Sequence, residues 1–195
     1  MATDPHAASD TPALIPPPPN AVTLREAALN YLARFATTEA GLRLVLFRRI
    51  DRWARVAAAL EDSGEQAAAA RAAVPGIVAR MVDLGLINDA AFAENRARGL
   101  ALSGQSRRAI SARLMAKGID PDQAREAMPE IAGGELVSAL ILARKRRIGP
   151  FRKADPDRNR ELGVLARAGF PHDVAARALA MDPEEAEAAI IEARR

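Results

Sequence analysis

Beyond residue 23 the apolar positions recur every three or four residues, and no stretch sustains the two-residue alternation of a half-buried strand. Leu24, Ala28, Leu32 and Phe35 fall on one helical face. Thr38 stands where it caps a second helix, whose stripe is Leu42, Leu46, Ile50, Trp53, Val56 and Leu60. Asp62-Ser63-Gly64 breaks that helix. An Ala-rich stretch follows, and Pro75 is expected to open a helix bearing Ile77, Val78, Met81 and Leu84, which Gly85 ends.

The same plan runs on. Asn88 is a plausible N-cap for a helix with Phe92 on its apolar face, and Ser103-Gly104-Gln105-Ser106 reads as a turn. Ser106 caps a helix carrying Ile110 and Leu114. Gly118 sits where a left-handed C-terminal residue is wanted, with Ile119 as its apolar contact. Asp120-Pro121-Asp122-Gln123 supplies an N-cap, a proline at the first helical position and a glutamine for a capping box. Leu136, Leu140 and Ala143 mark the next helix, and Gly149-Pro150 breaks the chain. A helix with Leu162 and Leu165, the turn Gly169-Phe170-Pro171, a helix with Val174 and Leu179, and a last helix opened by Asp182-Pro183-Glu184-Glu185 complete the reading.

Residues 114–128 and 165–179 match at an offset of 51: Leu114 with Leu165, Gly118 with Gly169, Asp122 with Asp173, Ala124 with Ala175, Ala127 with Ala178. Thr38, Leu42 and Leu46 hold the relative places of Ser106, Ile110 and Leu114, so an earlier copy is visible, interrupted by about twenty-five extra residues. The expected fold is therefore all-α, with about three tandem three-helix repeats stacked into an elongated curved array, since a unit of three short helices buries too little surface alone. The divisions are a Pro-rich tail over 1–22, repeats over 23–85, 86–132 and 133–182, and a C-terminal helix over 183–195. A single irregular helical bundle with coincidental Ala/Leu similarity is the competing architecture.

Composition narrows the function. There is no cysteine, which removes disulfides and thiolate chemistry and fits a cytoplasmic setting. No apolar run approaches the length of a membrane span, and the N-terminus lacks a signal-peptide pattern. Residues 1–22, with Pro16-Pro17-Pro18-Pro19, are expected to form a disordered tail. The net charge is only +3, but the excess is local, +4 over 133–182. Only seven residues are aromatic, so stacking platforms for single strands are scarce.

The candidate binding surface is basic. Arg107, Arg108, Arg113 and Lys117 share one helix, and the first two sit at its start, where the dipole disfavours positive charge and an external anion would relieve it. Arg144, Lys145, Arg146, Arg147, Arg152, Lys153, Arg158 and Arg160 place eight cations within seventeen positions, suited to a DNA-containing polymer. Helix-dipole complementation accounts for Arg146 and Arg147 but not for all eight. Residues 107–128 also look like a helix-turn-helix, although Asp122, Gln123 and Arg125 are meagre base readers and the acidic entry repels phosphate. Catalysis is disfavoured: His6 lies in the tail, His172 at a helix start, and Asp120, Asp122, Asp155 and Asp157 are explained by helix starts and a loop. Gly133-Gly134 lacks the lysine and hydroxyl of a phosphate loop. No enzyme activity, cofactor or metal is expected.

Three pieces of the chain resemble the RecX family: Ala28-Leu29-Asn30-Tyr31-Leu32-Ala33-Arg34; Leu84-Gly85-Leu86-Ile87-Asn88-Asp89-Ala90-Ala91-Phe92-Ala93; and Gly104-Gln105-Ser106-Arg107-Arg108-Ala109-Ile110 continuing through Leu114, Lys117, Gly118 and Ile119. The likeness spans about residues 24–180. It implies a monomeric regulatory protein of DNA repair, recombination and the SOS response. Such a protein binds the groove of the RecA recombinase filament on single-stranded DNA and restrains its ATPase and strand exchange, with weak direct nucleic-acid binding. This chain departs from the family pattern in the first repeat, where Leu44-Val45-Leu46-Phe47 is apolar instead of Arg/Lys-rich and residues 51–75 are inserted. A duplex-specific DNA binder and a purely structural helical adaptor are the alternatives.

Overall fold

The computed structural model of the protein describes residues 15–153 and 157–195, and every regular element among them is helical. The first unit contains α1 (Ala21–Leu32), α2 (Glu39–Val56) and α3 (Ser63–Asp83). The second contains α4 (Asp89–Ala101), α5 (Arg107–Met115) and α6 (Pro121–Glu126). The third contains α7 (Gly134–Arg146), α8 (Arg158–Arg167), α9 (His172–Ala180) and α10 (Pro183–Glu192), with a 3-10 turn at Gly149–Phe151. Helices begin where a short polar side chain satisfies an otherwise orphaned amide. Thr38 accepts from Gly41, Asn88 from Ala91, Ser106 from Ala109, Asp157 from Arg160 and Asp182 from Glu184.

Each unit closes its own core. Leu24, Leu42, Leu46, Ile50, Val78 and Met81 are buried together in the first. Ala93, Ala97, Ile110, Leu114 and Ile119 form the second. Leu140, Ile141, Leu165, Leu179 and Ile190 form the third, so α10 completes that core through Ile190. A fully buried Leu or Ile contributes about 1.5–3 kcal/mol, which makes these small clusters individually modest and their stacking consequential.

The structure departs from the sequence reading at three places. Residues 1–14 of the expected tail, and Asp155 of the expected loop, lie outside the described residues. At the tail's end, however, Ile15 packs on the first core and the Trp53 indole donates to the Pro16 carbonyl at 2.8 Å. Pro75 does not open a helix. It lies inside α3, with Ala67, Ala70 and Val74 buried before it and Ile77, Val78 and Met81 after it. An interior proline costs about 3 kcal/mol, and burial on both sides of it against α1 and α2 outweighs that cost. Third, the ends of the expected apolar stripes emerge into solvent: Phe35, Val56, Leu60 and Leu84 are exposed.

Adjacent units are joined by a repeated device. Thr38 Oγ1, while capping α2, donates to the Lys117 carbonyl at 2.6 Å, and the Glu39 amide donates to Asp89 Oδ1 at 2.9 Å. Ser106 Oγ, while capping α5, donates to the Ala168 carbonyl at 2.7 Å, and the Arg107 amide donates to Glu135 Oε1 at 2.9 Å. In both joints the next residue after the accepting carbonyl is a left-handed glycine pressed against the preceding unit. A Cβ on Gly118 would overlap Ala40 Cβ, and one on Gly169 would lie 2.7 Å from Ser106 Oγ. The matched glycines of the internal repeat are thus the points where one unit seats on the next. Among the described residues no side-chain hydrogen bond links the first unit to the third, as a linear array requires.

Candidate functional site

The second joint opens into a cleft of about 660 Å³ between units two and three. Its floor is built from small residues, Gly104, Ala109, Ala112 and Ala168, and its polar groups include Arg113, Arg146 and Arg167. Each arginine occupies the last turn of its helix, α5, α7 and α8 respectively, where positive charge complements the negative dipole end. The dipole explains why each helix ends in arginine. The convergence of three such ends on one cleft follows from the joint. All three residues are exposed, and no carboxylate among the described residues pairs with them. Three guanidinium groups, each with five donors in a planar fork, present a matched surface to phosphate or carboxylate oxygens.

The remaining expected contact residues are distributed differently from one continuous basic flank. Arg144 is ion-paired with Glu187 of α10 at 2.6 Å, and Lys145 donates to the Ser103 carbonyl at 2.7 Å, tying α7 to unit two. Arg152 grips Glu161 with two hydrogen bonds, 2.9 and 3.3 Å, and holds a carboxylate that is only 7% exposed. Arg144 and Arg152 hold the third unit together, because acids of α10 and α8 fold onto them, whereas Lys145 joins that unit to the second. Arg158 and Arg152 line a separate hollow beside Leu179 and Pro183. Arg107, Lys153 and Arg160 are exposed, and Arg108 lays its stem against Gly169 at the joint. Lys117 is exposed at the first joint, outside the cleft. Arg147 is exposed and, among the described residues, is the non-glycine residue with positive φ, at 56°. That conformation costs of order 1 kcal/mol and is held by the C-terminal bond from the Ile148 amide to the Ala143 carbonyl.

Arg167 was invisible as a partner of Arg113 and Arg146, since nothing in the linear pattern says which helix ends meet. The duplex-reading alternative fares poorly. Its recognition helix would be α6, which has six residues, and its Arg125 is paired with Asp122 at 2.7 Å while Asp120 caps the helix. His172 is exposed at the start of α9, and among the described residues no group of three His, Asp or Glu side chains is placed to hold a metal. No helix among them is long and apolar enough to cross a membrane.

Residues 88–128, which are α4 to α6, match the family model described as RecX, second three-helix domain. A protein of Myxococcus xanthus named regulatory protein RecX is 38% identical over 168 residues, spanning 82% of this chain and 86% of its own length. Another protein of the same name, from Agrobacterium fabrum, is 39% identical over 104 residues, 52% of this chain and 55% of its own. The crystal structure of RecX from Lactobacillus salivarius superposes with a TM-score of 0.58 over 86% of this chain and 97% of that one, at 24% identity, which speaks to the fold.

Proposed function

The chain belongs to the RecX family of regulatory proteins, and from that premise we propose that it binds the RecA recombinase filament on single-stranded DNA and restrains its ATPase and strand exchange. The observation that carries this reading is the cleft of Arg113, Arg146 and Arg167, a cationic site at the seam of two stacked units with no ion-pair partner among the described residues. The acceptors are phosphates of the filament's strand or carboxylates of its subunits, both of which the guanidinium fork fits. Arg107, Arg108, Lys117, Arg147, Lys153, Arg158 and Arg160 extend the positive field and accelerate encounter. Arg144 and Arg152 contribute by keeping the third unit in shape, and Lys145 by holding it to the second. The protein acts as a monomer in the cytoplasm on this reading.

The test is charge reversal in the cleft, Arg113→Glu with Arg146→Glu and Arg167→Glu. Inhibition of the DNA-dependent ATPase of a RecA filament should fall by at least about ten-fold in potency, with helical content unchanged, since losing even one buried, hydrogen-bonded charge pair costs roughly 2–5 kcal/mol. Full inhibition by the triple variant would remove the cleft from the mechanism. Binding to one duplex sequence in preference to the filament would favour the DNA-reading alternative instead.

A further inference from the structure

The first unit carries a second cationic feature outside the basic run of residues 144–160: although residues 44–47 are apolar, α2 as a whole is rich in arginine, with Arg48 and Arg49 directly after that stretch and Arg52 beyond them. A groove of about 550 Å³ runs between α1 and α2. Tyr31 and Phe35 stand along it, their ring centroids 5.1 Å apart and tilted by 41°. Phe35 is 54% exposed although it continues the apolar stripe of α1. Around them the groove presents Arg34, Arg48, Arg49 and Arg52. One acid, Glu26, also lines it, and among the described residues none of the four arginines is in an ion pair. Leu46 is fully buried beneath, so the floor is fixed.

Ordinary surface economy does not account for this arrangement. Arginines on α2 could be scattered around the helix, with acids three or four residues away to relieve them, as Glu39 relieves Arg43. Instead Arg48, Arg49 and Arg52 lie toward the same groove, and Arg34 approaches from the end of α1. Four arginines without an ion-pair partner among the described residues, beside the exposed Phe35 ring and that of Tyr31, which is half-buried against the first core, suit a ligand that is both polyanionic and flat. An exposed base of a single strand meets that description: its ring stacks on an aromatic face while neighbouring phosphates meet the guanidinium groups. A duplex does not, because its bases are already stacked on each other.

We propose that the α1–α2 groove is a binding site for single-stranded polynucleotide, with Tyr31 and Phe35 receiving a nucleobase and Arg34, Arg48, Arg49 and Arg52 receiving phosphates. The site adds a strand contact to unit one. It rests on the filament reading for its biological setting, whereas its test uses the free chain and bare strand. An acidic peptide is the other polyanion that would enter such a groove, and it would leave the aromatic faces without a planar partner.

Tyr31 is the one tyrosine in the chain, so incorporating 3-fluorotyrosine gives a single fluorine resonance at the proposed contact. The labelled full-length protein is titrated with an oligothymidylate, an abasic strand of equal length, a duplex and polyglutamate. The resonance should move with oligothymidylate and much less with the other three. Phe35→Ala should weaken oligothymidylate binding by about ten-fold, the loss of one base–aromatic stack. Phe35→Tyr should restore it. Arg48→Glu with Arg49→Glu should weaken it further and flatten its dependence on salt by about two phosphate contacts.

Binding with an unmoved resonance would place the strand elsewhere on the molecule. Equal movement with the abasic strand or polyglutamate would make the groove a general polyanion site, and no binding at all would end the proposal. Arg113, Arg146 and Arg167 lie in the other two units, so their reversal leaves this titration intact even if it abolishes filament inhibition. Failure of one proposal is therefore distinguishable from failure of the other.

Discussion

At the joint between units one and two, a threonine cap donates to the Lys117 carbonyl, Asp89 receives the Glu39 amide, and Gly118 seats against Ala40. At the joint between units two and three, a serine cap donates to the Ala168 carbonyl, Glu135 receives the Arg107 amide, and Gly169 seats against Ser106. The chemistry is the same, but the second joint has more of it. Ser138 Oγ donates to the Ala101 carbonyl at 3.1 Å, Lys145 reaches the Ser103 carbonyl, and Gly104 lies against the backbone of Leu142. Units two and three are thereby fixed to each other along α7, whereas unit one is attached through the cap, the acid and the glycine. The comparison teaches that one joint design is used twice, with three further contacts along α7 at the second joint, which should make units two and three the stiffer pair around the arginine cleft and unit one the looser arm that carries the aromatic groove.

The glycines offer the sharpest way to break the likeness. Gly118→Ala forces a left-handed alanine and drives its Cβ into Ala40, and should cost about 2–4 kcal/mol. Gly169→Ala meets the serine hydroxyl and the flexible stem of Arg108, and should cost about 1–2 kcal/mol. Urea midpoints for the two variants check the order, and equal losses would mean that the contacts with Ala40 do not matter.

The caps come next. Ser106→Ala and Thr38→Ala each remove an N-cap and leave a carbonyl at the joint without its donor, at about 1–2 kcal/mol apiece. The global loss should be similar, but the local consequence should differ. Hydrogen exchange around the first joint should rise well beyond that expected from global unfolding in Thr38→Ala. In Ser106→Ala the α7 contacts should suppress the equivalent local opening. Matching exchange patterns would contradict the difference in stiffness.

The smallest effect belongs to the acids. Asp89→Ala and Glu135→Ala each withdraw one carboxylate from a helix N-terminus of the neighbouring unit, at about 0.3–1 kcal/mol, an effect that salt should diminish. Their thermal midpoints at low and high ionic strength would show whether the acids act through charge or merely fill space.

Much of the architecture was legible in the chain. Thr38, Asn88, Ser106, Asp120 and Asp182 cap where their short oxygens predict, because capping involves atoms three residues apart or fewer. Gly118 was legible as a left-handed turn and Gly169 as its match in the repeat, although their pressure on the preceding unit was not. The basic zone shows the opposite case. Arg144 and Arg152 read as free cations because Glu187 and Glu161 lie 43 and 9 residues away, and only folding brings α10 and α8 against them. Pro75 misled for a related reason: local geometry argues against an interior proline, while the buried faces on both sides of it are supplied by other helices.

By itself the sequence determined where helices start, which faces are apolar, that a unit recurs, and that positive charge gathers toward the third unit. These are consequences of interactions within one or two helical turns, or of simple counting. Only the tertiary structure decided which arginines are consumed in holding α7, α8 and α10 together, which three meet across a seam, and that Tyr31 and Phe35 share a groove with four more. Such outcomes depend on pairs of groups far apart along the chain, whose meeting is set by how the units seat on one another.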